Sequence, residues 1–123
     1  MCEIKFRAWD DDKKCMFIPK NIELTSDGAV RIYYNQHGHY NSRMELMQFT
    51  GIKDKNGKEI YENDKVRVYK GKYSSVGVVI WSNAGWWIRY KNRAMELYID
   101  ADDMGVIGNI HENPELLTKE REQ

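Results

Sequence analysis

The sequence predicts a mainly β protein: an N-terminal region of β-hairpins and strands, then a small β-barrel, then a short C-terminal helix. Three observations carry this. Apolar and polar residues alternate in stretches such as EIKFRAW (3–9) and KVRVYK (65–70), the period of a half-buried strand. Turn signals recur every ~8–12 residues, the spacing of a small barrel or sandwich rather than of βαβ units. Eight Tyr and four Trp stand beside only two Pro, a composition that suits pleated surfaces.

The elements follow in order. EIKFRAW sets Ile4, Phe6 and Ala8 on one face and Lys5, Arg7 and Trp9 on the other. Asp10–Lys14 then turns the chain and CMFIP returns it as a first hairpin. Thr25-Ser26-Asp27-Gly28 makes another turn into AVRIYY (29–34), and NQHGHYNSR (35–43) reads as a polar loop. MELMQFTGI (44–52) is β-capable as far as Gly51, although its start tolerates a helical turn. Asn56-Gly57 is a hairpin signal of type I′, and Glu62-Asn63-Asp64 is a second knot in which Asn63 suits the left-handed region.

From Lys65 the strand-like segments KVRVYK, VGVVIW (76–81), WWIRYK (86–91), MELYI (95–99) and VIGNI (106–110) follow, with SNAG (82–85) as a turn. This is the strand content of an SH3-like or OB-like barrel. Asn113-Pro114-Glu115 reads as N-cap, N1 proline and first-turn acid, so LLTKEREQ is expected to be helical. The expected division is an N-terminal β subdomain, 1–50, tightly joined to a barrel with its helix, 51–123.

Composition excludes several classes. Hydrophobic residues are 41% of a 123-residue chain, enough for a modest core. No apolar run approaches the ~18 residues of a membrane span, and MCEIKFRAWDDD has no apolar core of a signal peptide. Cys2 and Cys15 are expected as free thiols in a reducing compartment.

Candidate chemistry is sparse. No GxSxG, HExxH or phosphate-binding loop is present. His37 and His39 form an HxH pair with only His111 elsewhere, so a solvated loop is expected rather than zinc. Asp100, Asp102 and Asp103 are expected to form a solvated turn rather than a magnesium site, because hard-cation sites draw carboxylates from separate elements. Neither a cofactor, a metal nor an enzyme activity is expected.

Three blocks in order, IKFRAWD, LMQFTGIKDKNGKEIYENDKV and VIGNIHENPELL, resemble the YopX family, small proteins encoded by phages and prophages, mostly of Gram-positive bacteria. The resemblance spans nearly the whole chain. It implies a mainly β structure whose C-terminal part is an SH3-type barrel, and a setting in the cytoplasm of a bacterial host. At Asn63 that family often has glycine, and asparagine is the usual substitute for such a backbone. The resemblance carries over no catalytic residue.

Charge is neutral in total but segregated. Residues 65–93 hold seven cations and no acid, interleaved with Tyr69, Tyr73, Trp81, Trp86, Trp87 and Tyr90, whereas residues 96–122 hold eight acids against Lys119 and Arg121. Alternation points Val66, Val68, Trp86, Ile88 and Tyr90 to the core and turns Lys65, Arg67, Tyr69, Trp87, Arg89 and Lys91 outward as a candidate binding face. Cations beside aromatic rings are what single-stranded nucleic-acid sites use, yet the basic block can equally pair with the acidic one, within a molecule or across a subunit contact. The expected function is a non-catalytic binding or assembly module whose partner is protein, including copies of itself as a homo-oligomer. The alternative is a nucleic-acid-binding small barrel using the 65–93 face. A second alternative is a metal-dependent enzyme built on the aspartates or the HxH pair. No membrane partner is expected.

Overall fold

The computed structural model describes residues 4–34, 44–90, 93–97, 103–116 and 119–122. It is all-β: no helix is present among the described residues. The chain divides into two compact units, Ile4–Gln48 and Phe49–Gln123.

In the first unit, β1 (Phe6–Asp10) lies between β2 (Cys15–Phe17) and the opening half of β5 (Met44–Lys53), all antiparallel. Trp9, predicted to face outward, is buried, as are Ala8 and Asp10. Successive side chains of a strand point to opposite faces, so burial of three consecutive residues means that both faces of this end of β1 are covered and the two-period pattern no longer separates core from solvent.

Asp10 closes the β1–β2 turn. Its Oδ1 accepts from the Asp12 and Lys13 N–H groups at 2.9 and 3.1 Å, the local bonding that makes aspartate a turn residue. Its Oδ2 accepts from the Tyr34 hydroxyl, and that bond holds the carboxyl below the usual aspartate range despite burial. Burial, reinforced by Asp10, pushes the Tyr34 hydroxyl far above the usual tyrosine range. The Tyr34 ring stacks on Phe17 at 4.1 Å between centroids.

A separate two-stranded sheet pairs β3 (Asn21–Leu24) with β4 (Val30–Tyr33). It is closed by the same turn as the hairpin of β5 and β6 (Glu59–Tyr61). In the first, Gly28 N–H donates to Thr25 O at 3.0 Å and Thr25 N–H to Ala29 O at 2.9 Å. In the second, Gly57 N–H donates to Asp54 O at 3.0 Å and Asp54 N–H to Lys58 O at 2.8 Å. Asn56-Gly57 is therefore not a type I′ turn: of the two, only Gly57 has positive φ, at 82°, matching Gly28 at 87°. A side-chain acceptor at the first position explains the longer loop, since Thr25 Oγ1 and Asp54 Oδ1 each accept the N–H four residues on.

In the second unit, β7 (Asp64–Lys70), β8 (Tyr73–Ser82), β9 (Gly85–Arg89) and β10 (Ala94–Glu96) form a meander. β11 (Met104–Asn109) pairs on the free side of β7, giving the order β10-β9-β8-β7-β11. The core contains Ile60, Val66, Val68, Val79, Ile88, Tyr90, Leu97 and Met104, against which Trp86 also packs. Asn63 has φ 70° in the Glu62-Asn63 turn, and the Asp64 carboxylate holds that turn by accepting the Tyr61 N–H at 2.7 Å.

The predicted C-terminal helix is absent from the described residues. Residues 113–116 form a turn, and β12 (Lys119–Glu122) pairs with the edge of β8 that β9 leaves free. Asn113 does not act as a forward N-cap. Its Oδ1 accepts the Asn109 N–H behind it at 3.2 Å, and the Leu116 N–H ahead of it is taken by the Asn113 main-chain oxygen at 3.1 Å.

Candidate binding face

The register of the second unit shows which predicted site residues meet. On the side of the sheet opposite Val66 and Val68, Lys65 lies opposite Val78, and Val78 opposite Arg89. Arg67 lies opposite Val76 and Gly105, Tyr69 opposite Ser74, and Trp87 opposite Ile80 and Glu96. At roughly 4.8 Å per strand, the backbones of Lys65 and Arg89 are about 10 Å apart. One side of the sheet thus brings together Lys65, Arg67, Tyr69, Trp87 and Arg89. Lys91 lies outside the described residues.

That side is not a uniform open surface. Lys65, predicted to point into solvent, is buried at 6% exposure, and Val76 and Val78 beside it are buried too. Its Nζ donates to the carbonyl oxygens of Asn113, at 2.8 Å, and Leu116. Strand parity was right about the direction of this side chain. The 113–116 turn covers it, and the turn's outward carbonyls are the acceptors a lysine seeks. This part of the basic segment therefore contacts the acidic one through main-chain oxygens.

The remaining members are more open. Arg89 is exposed, and Arg67 is half-buried with Nη1 3.1 Å from Ser74 Oγ. Trp87 is half-buried and its indole N–H donates to Ser82 O at 2.7 Å, tying it to the turn between β8 and β9. Tyr69 is 40% exposed, and Lys55 Nζ lies 3.9 Å from its ring centroid. Lys55, from the turn between β5 and β6, is thus part of this face. The Lys55 stem runs past Gly105, opposite Arg67: a Cβ there would meet Lys55 Cε at 3.5 Å, an ordinary contact. Nothing in local sequence signals this contact, which joins residues fourteen positions apart.

On the core side of the same sheet, Trp81 stands at the end of β8 with 55% exposure. It meets Trp86 edge-on, centroids 5.0 Å apart and planes at 69°, a favoured aromatic geometry. Sequence counted Trp81 among the interleaved aromatics but gave no sign that it would project from the end of its strand.

Among the described residues no three His, Cys, Asp or Glu side chains gather as a metal site. Asp103 is described and exposed, whereas Asp100, Asp102, His37, His39 and Cys2 lie outside the described residues; Cys15 is a free thiol.

No curated protein matches the chain. Two solved structures are similar over 95% of this chain and 99% of theirs: EF1440 from Enterococcus faecalis, with 27% identity and TM-score 0.64, and yopX from Bacillus subtilis, with 21% identity and TM-score 0.68. The family model for YopX protein matches residues 5–118, and the chain belongs to the YopX family.

Proposed function

We propose that the chain is a non-catalytic binding and assembly module of a phage or prophage, acting in the cytoplasm of a bacterial host through protein contacts that include copies of itself. Its Phe49–Gln123 unit is read as an SH3-type barrel. The meander of β7 to β10, with β11 returning beside β7 over one shared core, supports that reading.

The observation that carries the proposal is Trp81. A large aromatic side chain, 55% exposed and held in place by Trp86, is the kind of anchor that protein interfaces concentrate. Light scattering coupled to size exclusion tests it. The wild-type chain is expected to run heavier than one chain, and Trp81→Ala to dissociate at higher concentration. A monomer at every concentration, the same for wild type and variant, removes the reading.

A second reading, nucleic-acid binding, is favoured by one observation: the Lys55 ammonium over the exposed Tyr69 ring, on the same side as Arg67 and Arg89. Stacking on rings with cations for phosphates is how single strands are held.

A further inference from the structure

The hairpin of β3 and β4 carries its apolar face beyond the part that is covered. That face consists of two directly opposed pairs, Ile22 with Ile32 and Leu24 with Val30. Ile32 is 4% exposed, but Leu24 is 78% and Val30 41% exposed. On the other face Glu23 opposes Arg31, with Oε1 and Nη1 3.8 Å apart.

The turn at the tip is firmly closed. Two main-chain bonds cross it, and Ala29 N–H donates to both Thr25 Oγ1 at 3.0 Å and Asp27 Oδ1 at 3.2 Å. Among the described residues no further strand pairs with β3 or β4, so each has an outer edge. A lone two-stranded sheet is marginal in water, and open edges template further pairing.

We propose that this hairpin docks a second copy of the same chain, the outer edge of β3 in one copy pairing antiparallel at the tip with the outer edge of β4 in the next. The proposal rests on the assembly reading above and adds to the Trp81 anchor a second contact surface between copies. Complementarity identifies the occupant. The hairpin's internal register sets apolar against apolar and acid against base. Repeated between copies, it places Leu24 opposite the next copy's Val30 and Glu23 opposite its Arg31, covering both exposed tip side chains and adding an acid–base pair.

The backbone permits this. In an antiparallel ladder, residues whose N–H and C=O are not used on one edge present them on the other. A symmetric pairing of two β3 edges about Glu23, or two β4 edges about Arg31, sets like charges opposite each other and is disfavoured. The contact is heterologous, so it closes into a ring or extends as a chain of copies.

Sedimentation of the full-length chain with Glu23→Arg, Arg31→Glu, the double variant and Leu24→Ser tests this. Each single variant is expected to raise the association midpoint about tenfold. An equal mixture of the two charge variants should regain association, because every edge then meets an opposite charge. The double variant should regain it alone, and circular dichroism checks that each variant is folded. If the wild type associates while all four variants match it, this surface is overturned and the assembly reading stands. A wild type that remains monomeric overturns both.

Discussion

Asp54 gathers main-chain donors from its own turn and from β11. Its Oδ1 accepts from Asn56 and Lys58 N–H at 2.8 and 2.9 Å, and its Oδ2 from Val106 N–H at 2.9 Å. Burial alone pushes this carboxyl upward. Three N–H bonds and the Lys58 charge outweigh burial, so it titrates below its ordinary value of 3.8. A carboxyl with a depressed folded pKa contributes stability that is complete above the unfolded value and lost as pH falls through the folded one. Asp54→Asn should therefore cost about 1–3 kcal/mol near neutrality, since a buried acceptor is lost. The difference from wild type should shrink below pH ~3.8, as the wild-type carboxyl also takes a proton. Urea midpoints across that range measure it, and a gap independent of pH would refute the assignment. Asp10 shifts the same way, so the variant should keep part of its acid sensitivity. At this scale, glycine and asparagine marked where the chain bends but not how. Asn56-Gly57 looked like a two-residue turn. The two-residue turn with positive φ at both positions is instead Asn83-Ala84, at 48° and 59°, where Ser82 pairs with Gly85. An acceptor such as Asp54, which selects the loop, acts through bonds that composition does not display.

Among the elements, β7 and β9 were legible because each has one face in the core. Val66, Val68, Ile88 and Tyr90 are buried, as alternation requires. β3 was missed: NIEL is short, and its apolar residues do not bury as a pair, Leu24 being 78% exposed. The helix expected over LLTKEREQ failed for a tertiary reason, because β8 offers a free edge to β12 and Lys65 draws the carbonyls of Asn113 and Leu116. Lys65→Met keeps most of the apolar stem but deprives those two oxygens of their donor. The expected cost is about 1–3 kcal/mol, the range for leaving buried polar groups without a partner. Amide exchange at Leu116, whose N–H donates to Asn113 O at 3.1 Å, should speed up with it. Unchanged exchange there would show that the turn holds without the lysine.

For the whole molecule, the decisive property is how the segregated charge is deployed. The sequence counted seven cations between residues 65 and 93, but could not show that Lys65 is engaged by carbonyls of the following segment. It equally could not bring Lys55 to Tyr69, since that contact depends on Lys55 being held beside β11, where its N–H donates to Met104 O at 3.0 Å. With Lys65 engaged by those carbonyls, Lys55, Arg67 and Arg89 remain as cations on the Tyr69 side. Counterion release makes this countable: three phosphates neutralised on a single strand give a slope of log K against log salt of roughly −2. Fluorescence anisotropy with labelled single-stranded DNA and RNA should show that slope if the second reading holds. Lys55→Ala should reduce its magnitude by about one phosphate's share, ~0.7. Tyr69→Ala should weaken binding by about 1–3 kcal/mol without altering the slope, because a ring stacks on bases and releases no ion. Trp87→Ala serves as the contrast: with its indole N–H bonded to Ser82 O, its loss should lower stability more than affinity. A slope near zero, or affinities of the Lys55 and Tyr69 variants equal to that of the wild type, overturns the nucleic-acid reading of this face.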